Sequence, residues 1–102
     1  MPQSSSEVEE TLKRIQSHRG VEGILIIDND GVVLKSTMAT AETSTYAAEM
    51  SRLCAMARGS VRTLDATNDL TFLRVRSRKH EVMIAPGKDF QLIIVQNPNA
   101  EA

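Results

Sequence analysis

The sequence has one cysteine, five glycines, three prolines and no long apolar run, and each scarcity removes a class of function. Cys54 alone cannot close an internal disulfide, so a reducing compartment, the cytosol, is the expected setting. The five glycines form no phosphate-cradling pattern, and nucleotide binding by this chain is not expected. The longest apolar stretches, Gly23 to Ile27 and Leu92 to Val95, fall far short of the roughly 18 residues that cross a bilayer. The opening MPQSSSEVEE shows neither the basic nor the apolar region of an export leader, so no membrane insertion is expected. Lys plus Arg number 12 against 13 for Asp plus Glu. So balanced a field gives no long-range pull on a polyanion; nucleic acid is not an expected partner, and shape must select what binds.

What is present is enough for one core. A chain of 102 residues, 41% of them hydrophobic, buries enough surface for a single domain. That domain is expected over residues 6–97, with short polar ends at 1–5 and 98–102 expected to be loose. Ser6 with Glu9 three positions on reads as a capping box that starts a helix at Glu7. Val8, Leu12 and Ile15 give that helix one narrow apolar stripe, opposite Glu9, Glu10, Lys13 and Arg14. Gly20 is its expected C-terminal cap.

Beyond Gly20 the pattern turns to β. Val21 to Ile27 and Val32 to Thr37, dominated by β-branched residues, flank the turn Asp28-Asn29-Asp30-Gly31 and read as a hairpin. Ala39 to Leu64, proline-free and rich in Ala, Met, Glu and Arg, reads as a long helix starting near Thr43. Its apolar stripe is expected to be Tyr46, Met50, Leu53, Cys54, Ala57, Val61 and Leu64. Three strands follow, Leu70 to Ser77, Glu81 to Ala85 and Phe90 to Asn97, separated by Arg78-Lys79-His80 and Pro86-Gly87-Lys88-Asp89. The order α-β-β-α-β-β-β with short connections implies an α+β fold, a five-stranded antiparallel sheet with helices on its faces. Phe90, Leu92 and Ile94 alternate with Ile93 and Val95, and Val21, Leu25 and Ile27 with Ile24 and Ile26. Both strands are apolar on both faces and belong at the centre of the sheet. The long helix can close one face; the stripe Val8, Leu12 and Ile15 is too short to close the other.

No constellation of catalytic or metal-ligating residues stands out. Asp28, Asp30, Asp65 and Asp69 sit where turns select Asp for local backbone hydrogen bonds. His18 and His80 have no His or Cys at ligand spacing, and Cys54 lies on a helix's apolar stripe with no base nearby. No catalytic residue, metal or cofactor is expected, and the chain reads as a non-enzyme. The cluster Arg74, Arg76, Arg78 and Lys79 is the one local positive patch: a solvated hairpin, or a contact for an acidic stretch of a partner or another acidic protein surface.

Three long strings carry a resemblance: EVEETLKRIQSHRGVEGILIIDNDGVVLKST (7–37), NDLTFLRVRSRKHEVMIAP (68–86) and KDFQLIIVQNP (88–98). Together they resemble the roadblock-type light chain of dynein, in register from Glu7 to about Pro98. The resemblance implies a roadblock/profilin-like sheet of order 2-1-5-4-3. It also implies a homodimer, or a heterodimer with a sister roadblock chain, in which the third strands pair and the second helices pack antiparallel. Its further implications are an intermediate-chain partner, a non-catalytic part in motor assembly and cargo attachment for microtubule-based movement, and a place in the cytoplasm at the cytoskeleton or in the axoneme of a cilium or flagellum. Regulation or scaffolding of a small GTPase, the work of other superfamily members, is the alternative.

On that sheet order the strand from Leu70, with Phe72, Leu73, Arg74 and Val75, is an edge that a second copy would cover. Ala48, Ser51, Ala55 and Gly59 lie beside the core stripe of the second helix; they are either solvent-facing filler or the close-approach surface for a partner helix. The third helix that many superfamily members add after the last strand is not expected here. Helical segments of the intermediate chain are therefore expected across the under-covered face, near Val8, Leu12 and Ile15.

Overall fold

The computed structural model describes residues 5–99, with side chains from Glu9 to Asn99. Seven elements follow one another: α1 (Ser5–Gln16), β1 (Val21–Asp28), β2 (Val33–Ser36), α2 (Thr40–Leu64), β3 (Leu73–Arg76), β4 (Glu81–Pro86) and β5 (Phe90–Gln96). They make one antiparallel sheet in the order β2-β1-β5-β4-β3, the order and class expected from the sequence. The expected loose ends fall largely outside the described residues; Asn97 Oδ1 accepts from the Asn99 amide at 2.9 Å in a turn after β5.

Register explains which residues share a face. Across the sheet Leu25, Ile93, Ile84 and Leu73 form one row, and Gly23, Val95, Val82 and Val75 the next. These rows carry the main core: Leu25, Ile27, Val82, Ile84, Ile93 and Val95 are buried with Ala47 and Cys54 of α2, and Met38, Tyr46, Met50, Leu70 and Leu73 pack around them. On the opposite face Ile24, Ile94, Met83 and Arg74 form a row beside Ile26, Leu92 and Ala85. Here α1 lies over β1: Leu12 and Ile24 are buried, and Lys35 donates to Glu9 at 2.8 Å from β2.

The boundaries differ from expectation in instructive places. The third strand is Leu73–Arg76, and Leu70 to Phe72 precede it as irregular chain. Asp69 fixes that segment by accepting from Arg58 Nε and Nη2 at 2.8 and 3.0 Å and from the Leu70 amide. The long helix starts at Thr40, three residues before the expected Thr43, with Ala39 in extended geometry as its N-cap. Thr43 itself is buried, its hydroxyl 2.6 Å from that of Ser36, which also accepts from the Met38 amide at 3.0 Å. This hydroxyl pair joins β2 to α2 where an ordinary side-chain cap is missing. Leu64, expected in the core stripe, is 87% exposed because the helix has run past the sheet by its last turn, whereas Ala47 is buried. α1 starts at Ser5 and ends at Gln16. The capping box expected of Ser6 depends on a side chain outside the described ones. Gly20 is not that helix's cap; its φ of +88° turns the chain into β1, a geometry that suits glycine.

Gly23 matters for a different reason. A Cβ there would fall on Cγ and Sδ of Met38, the side chain that crosses β1 on its way into α2. Overpacking of this kind costs about 1–3 kcal/mol, so Gly23→Ala is expected to lower the urea midpoint. Met38→Ala in the same chain is expected to return part of the loss, and chemical denaturation of the two variants checks both.

Candidate interaction surfaces

Most of the residues considered for chemistry have a structural duty. Asp28 Oδ1 accepts from the amides of Asp30 and Val32, each at 2.9 Å, and Gly31 at φ +87° completes the β1–β2 turn. Asp65 accepts from the Thr67 amide and hydroxyl at 3.0 and 2.7 Å, while Asp69 holds Arg58. Cys54 is buried, and burial pushes its thiol above the ordinary range, away from the reactive thiolate. His80 Nε2 lies 3.4 Å from Glu22; His18 is exposed. Among the described residues no group of three or more His, Cys, Asp or Glu could hold a metal ion, and no helix is long and apolar enough to cross a membrane.

Three surfaces are instead incomplete. The first is the β3 edge. Beyond Leu73 and Leu70, which lean into the core, Phe72 is 50% exposed and Val75 36%, and the outer backbone groups of β3 face no other strand. Arg74 projects to the opposite face, as does Arg76; both reach back across the strand pair to Glu81 of β4. Arg74 Nε donates to Glu81 Oε2, and Arg76 Nη2 lies 3.4 Å from Oε1. Glu81 is only 4% exposed. The Arg74 hydrogen bond, with the charges of both guanidinium groups, holds its carboxyl below the usual range against the opposing effect of burial. The alternation Arg74, Arg76 opposite a strand that opens on Glu81 was readable as a cross-strand charge set; sequence reasoning singled out the arginines and passed over Glu81.

The second surface is α2. Ala48, Ala55 and Gly59 are exposed and Ser51 half-buried. Ser51, Ala55 and Gly59 line a crevice with Asn29, Cys54, Arg58, Arg62 and Gln91. Gln91 Oε1 is buried there without a hydrogen-bond partner, a detail that no periodicity in the sequence signals. Further round the helix Met56, 61% exposed, and Leu64 border a shallow apolar concavity with Gly59, Ser60 and Thr63.

The third surface is the sheet face under α1. Ile26, Leu92, Ile94, Met83 and Ala85 remain half-buried and Phe90 is 48% exposed, because α1 lies chiefly over β1. Of the residues expected to hold a partner here, Leu12 is buried against the sheet and Ile15 half-buried; the side chain of Val8 lies outside the described ones.

A family model for the Roadblock/LC7 domain matches residues 7–97. The chain belongs to this family. Its roadblock fold is similar to that of a Roadblock/LC7 domain from Streptomyces avermitilis, with a TM-score of 0.79 and 15% identity over 88% of this chain and 77% of that one. It is also similar to the gliding protein MglB of Thermus thermophilus (TM-score 0.78, 17% identity, 98% of this chain and 79% of that one). Myxococcus xanthus MglB gives 0.77 and 14%, over 97% of this chain and 82% of that one. At such identities the likeness is one of fold.

Within the roadblock sheet, the Glu81 set yields a pH prediction. Its folded carboxyl lies below the ordinary glutamate value, so its contribution to stability is complete above the ordinary range and disappears as pH falls through the lowered value. The difference in urea-unfolding free energy between the native chain and Glu81→Gln is expected to be largest near neutrality and to shrink in acid. A pH-independent difference would mean that the ionised carboxylate does not hold β3.

Proposed function

We propose that this roadblock chain is a non-catalytic, dimeric light chain of the dynein motor that binds the intermediate chain and supports motor assembly and cargo attachment along microtubules. The observation that carries the dimeric scaffold is the β3 edge: its outer backbone groups face no other strand, and Phe72 and Val75 are exposed along it. Pairing β3 with β3 of a second roadblock chain would satisfy its outward N–H and C=O groups and cover Phe72 and Val75. The small residues Ala48, Ala55 and Gly59 allow two α2 helices to approach closely. The assignment to dynein rests on the three long strings that resemble its light chain. Intermediate-chain segments then lie on the half-covered face beside α1, with Ile15 and the floor of Ile26, Leu92 and Ile94 as apolar anchors, Leu12 supporting them from beneath. The motor works in the cytoplasm or an axoneme.

A second reading, a regulator or scaffold of a small GTPase, is favoured by the fold likeness to the MglB proteins. The two readings part in a pull-down followed by mass spectrometry: dynein intermediate and heavy chains are the expected catch, and a GTPase held in a nucleotide-dependent way, without them, would select the second. Val75→Lys, which places a charge at the seam, is expected to raise the dimer dissociation constant about tenfold or more by edge-charge repulsion. Sedimentation velocity across micromolar concentrations checks this, and an unchanged dimer would remove β3 from the interface.

A further inference from the structure

The half-covered face and the arginines of β3 belong to one continuous surface. On the side facing away from α2, the row Ile24, Ile94, Met83 ends at the β3 edge on Arg74, and the row Gln96, Glu81 ends on Arg76. An apolar floor therefore meets a cationic border at the strand that pairs with the second copy. Between Leu73 and Glu81 the chain carries four cations, Arg74, Arg76, Arg78 and Lys79, and one carboxylate, Glu81, a local balance of +3 in a molecule of net charge −1.

An isologous antiparallel pairing of edges keeps each sheet face on its own side. Arg74 and Arg76 of both copies would thus gather at the seam, four guanidinium groups against two Glu81 carboxylates, with an apolar floor running away on either side. Like charges facing across paired strands are unfavourable, and the two glutamates neutralise only half of them. The charges elsewhere on this face do not help: Glu9 is held by Lys35, and Asp28 caps its own turn.

We propose that this surface receives an acidic amphipathic segment of another protein, its carboxylates over the Arg74 and Arg76 groups at the seam and its apolar side chains on Met83, Ala85, Leu92 and Ile94. The inference rests on the β3 pairing of the preceding reading and deepens it, because it specifies the chemistry a bound intermediate-chain segment must have. Each copy brings one guanidinium group that Glu81 does not neutralise, and pairing would gather two of them at the seam, so binding of such a segment and dimerisation reinforce each other.

Two fluorescein-labelled amphipathic peptides test this, with the same leucine face and either glutamate or lysine at every polar position. Fluorescence anisotropy with the native chain is expected to show the glutamate peptide binding at least about tenfold tighter, with the gap closing as salt is added. Arg76→Gln leaves the Arg74–Glu81 pair in place and is expected to weaken the glutamate peptide roughly tenfold, as loss of a charge-assisted hydrogen bond does. Arg52→Gln on α2 changes net charge equally and is expected to do little. Equal affinity for the two peptides, or equal effects of the two variants, would overturn the proposal. So would Arg76-dependent binding to microtubules with no preference between peptides, which would assign the cations to the filament. Sedimentation of the same samples separates the two layers: a monomer removes the β3 pairing beneath the proposal, whereas a dimer indifferent to peptide charge removes the proposal alone. The peptide comparison on the native chain stands even where a variant folds poorly, which circular dichroism reports.

Discussion

One sheet with two apolar faces and two helices of unequal length is the constraint on which the rest of this structure depends. Five strands at a spacing of about 4.8 Å make a surface roughly 20 Å wide, and a helix about 10 Å across covers some two strands of it. The 25 residues of α2 lie along one face and seal the cluster around Leu25, Ile84 and Ile93. The 12 residues of α1 lie chiefly over β1. What remains open is the β5–β4–β3 half of the second face, next to a strand edge that is also open. Among the described residues one sheet face is left half-covered and the β3 edge faces no other strand.

The charges at β3 fit that incompleteness. A bare apolar edge invites pairing with any extended chain, and charged residues on an edge strand narrow the choice. Here the two arginines face away from the core and are moored to Glu81, so the edge keeps a defined shape on one side and an apolar one, Val75 and Phe72, on the other. Pairing is left to a partner whose own edge tolerates cations at the seam. A second copy would bring its own Glu81 to such a seam, and an acidic segment above it would neutralise the remainder.

Much of this was legible in the sequence because it follows from periodicity. The two-sided alternation in Phe90–Gln96 marked a central strand, the Asp28–Gly31 turn marked the first hairpin, and the short stripe of Leu12 and Ile15 foretold a poorly covered face. What was not legible depends on tertiary geometry. Leu70 looks like strand, yet Asp69 clasps Arg58 and holds the chain irregular until Leu73. Leu64 continues a helical stripe that has already passed the edge of the sheet. Thr43 looks like a start signal and is a buried hydroxyl answering Ser36. Glu81 shows its importance only when register sets it beneath two arginines from the neighbouring strand, and Gln91 only when α2 closes over it.

The β3 edge is the centre of this account, and backbone amide hydrogen exchange at Leu73–Arg76 as a function of protein concentration tests it most directly. The account predicts that the outward-pointing amides of β3 gain protection as concentration rises through the dimerisation range, while those bonded to β4 are protected throughout. Exchange at the outward amides that stays fast and independent of concentration, in a chain that nevertheless associates, would contradict it.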